Sequence, residues 1–337
     1  MIEPLSSSEP VLLQPPSFGR RVRSVIGYSL LTALMIVARM PVFVPAALLH
    51  CAIRHGRRAA WAVLAITIAI VGLYAASAPL ETPDLQRMMW ASLGAVVVAI
   101  AFPAMAAVPL VARAESFGRV LVFLIAGSLV GLAATEVASR MLFAFSPFAM
   151  EVAQTKAVWL EVAKMYRELK APAEMIRLAE QAGPVNAYVL PGQLIASIAV
   201  IYVLSLLMYG RLRGWQDREA ARPYLFRNLQ LPEWLLFAFI FGGLTPIAGG
   251  MLQKVAANTL VVVVLLYIVQ GLAVVRSLMV TMGAGPVGSL FTWMLLGFLF
   301  FTGVSQVLLG VLGLFDPFFD FRHFKKRKDD SHESHSD

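Results

Sequence analysis

Nine apolar runs, separated by segments that gather most of the arginines and lysines, constrain this chain more than any other feature. They cover residues 25–38, 44–53, 59–78, 88–111, 120–138, 185–208, 234–252, 259–280 and 289–314. Several reach the roughly 20 residues that an α-helix needs to cross the hydrocarbon core of a bilayer. With 59% apolar and 14% charged residues, the chain carries more apolar surface than a water-facing globule hides. Lipid leaves no water to bond exposed peptide groups, so each span must satisfy its own backbone. The expected fold is therefore all-α: a polytopic transmembrane helix bundle of eight to ten membrane segments.

The basic clusters give an orientation, because Lys and Arg near span ends stay in the cytoplasm. Arg20, Arg21 and Arg23 precede the first run, and RHGRR at 54–58 follows the second, which suggests a hairpin with both ends inside. Residues 210–228 hold Arg211, Arg213, Arg218, Arg222 and Arg227 against Asp217 and Glu219, the strongest inside signal in the chain. The acidic loop LETPDL at 80–85 is expected outside. Nine crossings from a cytoplasmic start would put KKRK at 325–328 outside, against the charge rule. Either the last run turns back near Thr302-Gly303, or an earlier short run is re-entrant. The chain is expected in a cell (inner) membrane with both termini cytoplasmic. The net charge of +8 then serves topology and contact with the lipid bilayer, and no nucleic-acid partner is expected.

Residues 1–19, rich in Pro and Ser, are expected to be a disordered lead and lack the pattern of a signal peptide. The bundle is expected over 20–322, with a disordered charged tail at 323–337. Residues 140–184 stand apart as an external helical insert. Trp159, Val162, Tyr166 and Leu169 recur there at helical spacing, with Lys156, Glu161, Lys164 and Glu168 between them. Pro172 and the pair Gly183-Pro184 are expected to divide this amphipathic segment into two helices on the outer face.

Motifs for chemistry are sparse. HExxH, P-loop, GxSxG and Asp-rich signatures are absent, and the single Cys51 excludes an intramolecular disulfide and a Cys-based metal cluster. No catalytic residue, metal or cofactor is expected. Ionisable residues at membrane depth are the better pointers, because each is costly unless paired or facing a cavity. Arg39 sits before the Pro41 break, and Glu136 and Arg140 lie one helical turn apart near the outer end of the fifth run. They are candidates to line an outward cavity that receives a small-molecule ligand. Gln193 and Gln270 would add neutral hydrogen-bonding groups, and Trp293 an aromatic wall. The plain alternative for Glu136 and Arg140 is an i,i+4 surface pair. Gly127 and Gly131 form a GxxxG motif, and Ala238, Gly242, Pro246 and Gly250 a second small stripe. Both suit helix packing within the chain or a face for another membrane subunit. At the other end, Asp316, Asp320 and Arg322 are expected to make a fixed Asp–Arg contact that closes the inner end of the bundle.

Three signatures occur in order: LPEW at 231–234, YIVQGLAVVRS at 267–277 and LGLFDPFFDFR at 312–322. With PVFVPAALLHCAIRHGRRAA at 41–60, they make the chain resemble the YybS-like family of predicted bacterial membrane proteins, whose function is not established. That family is in turn similar to the substrate-binding membrane subunits of energy-coupling-factor transporters. The resemblance implies a helical bundle that holds a metabolite near the outer face and relies on a partner membrane subunit and cytoplasmic ATPases. The helix count departs from it, since those subunits have fewer. The function expected is thus transport-related small-molecule binding without an ATPase of its own. The rival is a non-transporting scaffold that recruits soluble partners through its basic loops.

Overall fold

The structure, a computed structural model, describes residues 18–38, 40–77, 83–215, 217–247, 249–300, 303–319 and 321–323. Among these residues it is helical throughout, with no strand. The first helices are α1 (Phe18–Val37), α2 (Phe43–His55), α3 (Arg57–Ser77), α4 (Pro83–Ala95), α5 (Phe102–Ala106), α6 (Val108–Ala112) and α7 (Phe117–Phe143). They are followed by α8 (Pro147–Glu168), α9 (Ala173–Gly214), α10 (Arg218–Ala221), α11 (Leu235–Gly243), α12 (Gly250–Thr281), α13 (Pro286–Phe300) and α14 (Val304–Phe319).

Among the described residues, five segments are long and apolar enough to cross a bilayer: Arg57–Ser77, Gln86–Ala112, Phe117–Phe143, Ala173–Gly214 and Gly250–Thr281. A sixth arises if the pair α13–α14 counts as one bent span. This is fewer than the eight to ten segments that apolar runs alone suggest, and each shortfall has a physical cause. The run 25–38 yields α1, whose apolar part is confined to Val22–Val37. The run 44–53 yields α2, which has 13 residues and whose positions Val44 to Ala52 are all buried. At 1.5 Å per residue, α2 is about 20 Å long, so its apolarity reflects burial in protein and not a crossing. The run 234–252 yields the nine-residue α11, which gives way to a turn ahead of Gly249. The last run bends by 113° between Leu299 and Val304, where Gly303 takes a φ of 75°. This is one of the two places where the charge pattern allows a turn back, although Thr302 lies outside the described residues.

The span Gln86–Ala112 is not one regular helix. After α4 it widens into a π-helix at Val96–Ala101 before continuing as α5 and α6. Pro103 has no N–H, which leaves Ala99 O without its usual helical donor. Two buried hydroxyls come to that carbonyl: Ser128 Oγ at 2.5 Å and Tyr202 Oη at 3.0 Å, themselves 2.7 Å apart. The approach of α7 depends on the small stripe. A Cβ on Gly131 would meet Val98 O at 2.5 Å, and one on Gly127 would meet Pro103 Cβ at 3.0 Å. The GxxxG face is thus packed against the irregular span of the same chain.

Helix α9 corrects the expectation of a break at Gly183-Pro184. It runs unbroken for 42 residues through both Pro184 and Pro191. That is about 63 Å, roughly twice the hydrocarbon thickness, so its first turns project beyond it. They pair with α8, where Trp159, Val162 and Tyr166 lie half-buried, Leu169 is exposed, and Arg167 bonds Glu180. Gly183 lets the two helices close, since a Cβ there would stand 3.3 Å from Trp159 Cβ. A side chain from α12 bonds the backbone beside Pro191. Asn258 Oδ1 accepts from Gly192 N at 2.6 Å, and Asn258 Nδ2 donates to Tyr188 O at 3.2 Å. One carboxamide thus serves both a donor and an acceptor of the α9 backbone.

Removing that amide leaves a backbone donor and acceptor exposed to an apolar environment, at about 1–3 kcal/mol. Asn258→Leu is therefore expected to lower the melting temperature of the detergent-solubilised protein. Adding Pro191→Ala should recover part of the loss by letting the helix bond itself. Equal melting of Asn258→Leu and the parent protein would contradict this role.

One end of the bundle collects the segment 217–234 with the start of α7 and the end of α9. A Cβ on Gly118 would lie 2.1 Å from Gln230 O, and one on Gly210 would lie 2.7 Å from Tyr224 Cβ. Tyr224 also packs edge-on to Tyr209 and near Phe117, and burial pushes its phenol pKa up. This is the basic end, since it carries the Arg-rich segment. The α8–α9 hairpin occupies the opposite end.

Candidate functional site

Two polar centres are built into the bundle, one at each end. At the basic end, the three sequence signatures meet. Asp316 and Arg322 form an ion pair with side-chain exposures of only 4% and 6%, with Arg322 Nη2 donating to Asp316 Oδ2 at 2.8 Å. The rest of the guanidinium holds the loop before α11: Nη1 donates to Arg227 O at 2.6 Å, and Nη2 to Leu229 O at 2.7 Å. Gln270 of α12 joins the two, since its Nε2 donates to Asp316 Oδ2 and its Oε1 accepts from Leu231 N, both at 3.1 Å. LPEW supplies the backbone N–H, YIVQG the amide, and LFDPFFDFR both charges. Asp320 lies outside the described residues.

The backbone makes room for this clasp. Helices α12 and α14 cross in contact because both present glycine. A Cβ on Gly271 would stand 2.0 Å from Leu309 O, and one on Gly313 would stand 2.0 Å from Tyr267 O. Every charge in the clasp is paired, and no titratable group is left to act on a substrate. Its chemistry is that of a lock.

The opposite end is built differently. A cavity of about 490 Å³ lies between α4, α7, α8 and α9. This is within the usual range for small-molecule pockets. Its walls are mainly apolar, with Leu129, Leu132 and Ala133 from α7 and Leu194 and Ile195 from α9. Polar groups reach it from Ser92, Thr135, Glu136 and Glu151, and none of its lining residues is basic.

Glu136 is half-buried and anchors the start of α8. Its Oε2 accepts from Phe148 N at 3.1 Å, and its Oε1 accepts from Arg140 Nε at 2.6 Å and Ser146 Oγ at 2.5 Å. Ser146 is the N-cap, accepting from Ala149 N at 3.0 Å, with Pro147 following in the first turn. A carboxylate at a helix N-terminus is also favoured by the macrodipole. Glu151, one turn further along α8, is exposed and has no cation paired with it among the described residues.

The residues picked out from sequence divide. Glu136 and Arg140 come together, and only Glu136 lines the cavity. Gln193 is on α9 but is not part of the cavity lining, and it donates to Asn186 Oδ1 at 3.0 Å. Gln270 belongs to the basic-end clasp. Trp293 is half-buried on α13, away from the cavity lining. Arg39 lies outside the described residues. Glu151 and Thr135 were not among the ligand-site candidates read from sequence. The signal for Glu151 was its place in the first turns after a Ser-Pro cap, on a helix rich in charges of both signs. Among the described residues, no three of His, Cys, Asp and Glu gather as a metal-binding group.

The fold and these two centres define an integral membrane protein of several helical spans. The chain belongs to the family described as predicted membrane protein (DUF2232), whose profile matches residues 25–317. No curated protein and no solved structure matches it.

Proposed function

We propose that the protein is a transport-related membrane component that binds a small amphipathic molecule in the cavity between α4, α7, α8 and α9. The observation that carries this is the cavity's composition: apolar walls, hydroxyls from Ser92 and Thr135, and two carboxylates, of which Glu136 is paired with Arg140 and Glu151 has no cation paired with it among the described residues. Such a site suits a ligand with an apolar body and a cationic or hydrogen-bond-donating group. Glu136 serves mainly to fix α8, and Glu151 is the carboxylate available to a ligand. The sequence carries no nucleotide-binding motif, so energy for movement would come from a partner or an ion gradient. The resemblance to the YybS-like family, and through it to energy-coupling-factor substrate-binding subunits, supports the same reading. In this reading the protein is not an enzyme. It lies in the inner membrane with its basic end and both termini in the cytoplasm, so that the cavity faces outward.

The test is native mass spectrometry of the purified full-length protein. A small molecule is expected to co-purify with the parent protein and to be lost from Ala133→Trp, which fills the cavity from an exposed position on α7. Glu151→Gln is expected to weaken retention about tenfold, the loss of one charge-assisted contact. Retention that neither change affects would remove the ligand reading and favour the scaffold. Neither substitution touches the clasp or the α8 cap, so both variants should melt within about 0.5 kcal/mol of the parent.

A further inference from the structure

A second cavity, of about 480 Å³, lies at the basic end between α1, α2 and α9. It belongs neither to the clasp nor to the opposite-end cavity. Its three walls share one polarity. Along α2 it is lined by Phe43, Ala47, His50 and Arg54, which recur on a single helical face. Those positions span about 16 Å, from an apolar end at Phe43 to a cationic end at Arg54. On α1 the wall runs from Met35 and Leu31 to Tyr28, and on α9 from Met208 to Trp215. The apolar side chains lie toward one end and the groups that bind charge or sit at an interface toward the other.

The cationic end has the make-up of an anion site. Tyr28 and Arg54 both line this end, one from α1 and the other from α2. His50 is buried beside them and stacks at a tilt on the Tyr28 ring, 6.1 Å between centroids. No carboxylate pairs with Arg54 among the described residues. Arg57 and Arg58 continue the basic run beyond the cavity. Trp215 is 78% exposed, the position of an indole that sits at a lipid headgroup boundary.

We propose that this groove is a specific site for an anionic phospholipid of the leaflet at the basic end. The phosphate meets Arg54 and Tyr28, and one acyl chain lies along Leu31, Met35, Phe43 and Met208. Charge complementarity selects the headgroup, and the direction of the polarity gradient matches a lipid standing in its own leaflet. A free phosphate would use only the mouth and leave the apolar length unfilled. The bound lipid would bridge α1 to the end of α9, on the side of α2 against which both helices pack.

Native mass spectrometry of the full-length protein tests this, with added phosphatidylglycerol or phosphatidylcholine of matched acyl chains. Phosphatidylglycerol adducts are expected to survive collisional activation that strips phosphatidylcholine. Arg54→Gln should reduce the retained phosphatidylglycerol about tenfold, the loss of one charge-assisted contact. Arg57→Gln, outside the groove, should leave it unchanged, and excess inorganic phosphate should not displace it. Leu31→Trp, which fills the groove from an exposed position, should also lower retention and gives a second test if Arg54→Gln does not fold. Equal retention of the two lipids, equal losses in Arg54→Gln and Arg57→Gln, displacement by phosphate, or full retention in Leu31→Trp would each overturn the proposal.

Discussion

Asp316→Ala and Arg322→Ala are each expected to destabilise the protein by about 3–5 kcal/mol, read as a large drop in melting temperature in detergent. The size follows from what each change leaves behind. Without Arg322, a carboxylate that is 4% exposed keeps only one donor, from Gln270, and the carbonyls of Arg227 and Leu229 lose theirs. Without Asp316, the guanidinium retains those two carbonyls but has no counter-charge. The paired charges act as one unit, so the double variant should lose far less than the sum of the two single changes. Additive losses, or single variants that melt like the parent, would show that the clasp does not hold this end together.

The second large effect is at the crossing of α12 and α14. Gly271→Val and Gly313→Val each place a branched side chain where a single Cβ would stand 2.0 Å from a carbonyl oxygen of the facing helix. Overpacking in a core costs about 1–3 kcal/mol when side chains can yield. Here the obstacle is backbone, so the helices must separate and the clasp opens with them. Both variants are expected to be purified poorly or to run as aggregates on size exclusion. Gly297→Val, on α13 with open space around its Cβ position, should behave as the parent does. Normal melting of Gly313→Val would refute the close crossing.

Much of this arrangement was legible from residue type and order. The runs 59–78, 88–111, 120–138 and 259–280 became spans because each is long and nearly uncharged, which only a bilayer or a core tolerates. The Asp–Arg contact at the basic end could be anticipated because Asp316 and Arg322 are set within an aromatic segment that gives a charge little water. Other features were hidden for equally physical reasons. Gly183-Pro184 read as a break, yet α9 continues through it, and Asn258, far away in sequence, bonds the backbone beside Pro191. Gln270 read as a cavity residue like Gln193, and what places it in the clasp is the approach of LPEW and α14 to α12. Run 44–53 mimics a span because burial in protein and burial in lipid demand the same composition, and only length separates the two. Run 234–252 differs: Phe237, Ile240 and Ile247 stay exposed, and the helix stops at Gly243, ahead of a turn. Glu151 is one of many charges on α8, and it becomes distinctive once α4, α7 and α9 enclose the space beside it.

We propose that the basic end is a locked cytoplasmic base and that the ligand cavity opens on the other side of the membrane. Thiol labelling in intact cells measures this directly. Cys51 is fully buried, and its replacement by Ala gives a silent background. A cysteine at Glu161, exposed on α8, is expected to react with a membrane-impermeant maleimide in intact cells. One at Arg218, exposed in the Arg-rich segment, is expected to react only after permeabilisation. Labelling of position 218 in intact cells, with position 161 protected, would place the cavity in the cytoplasm and contradict the account.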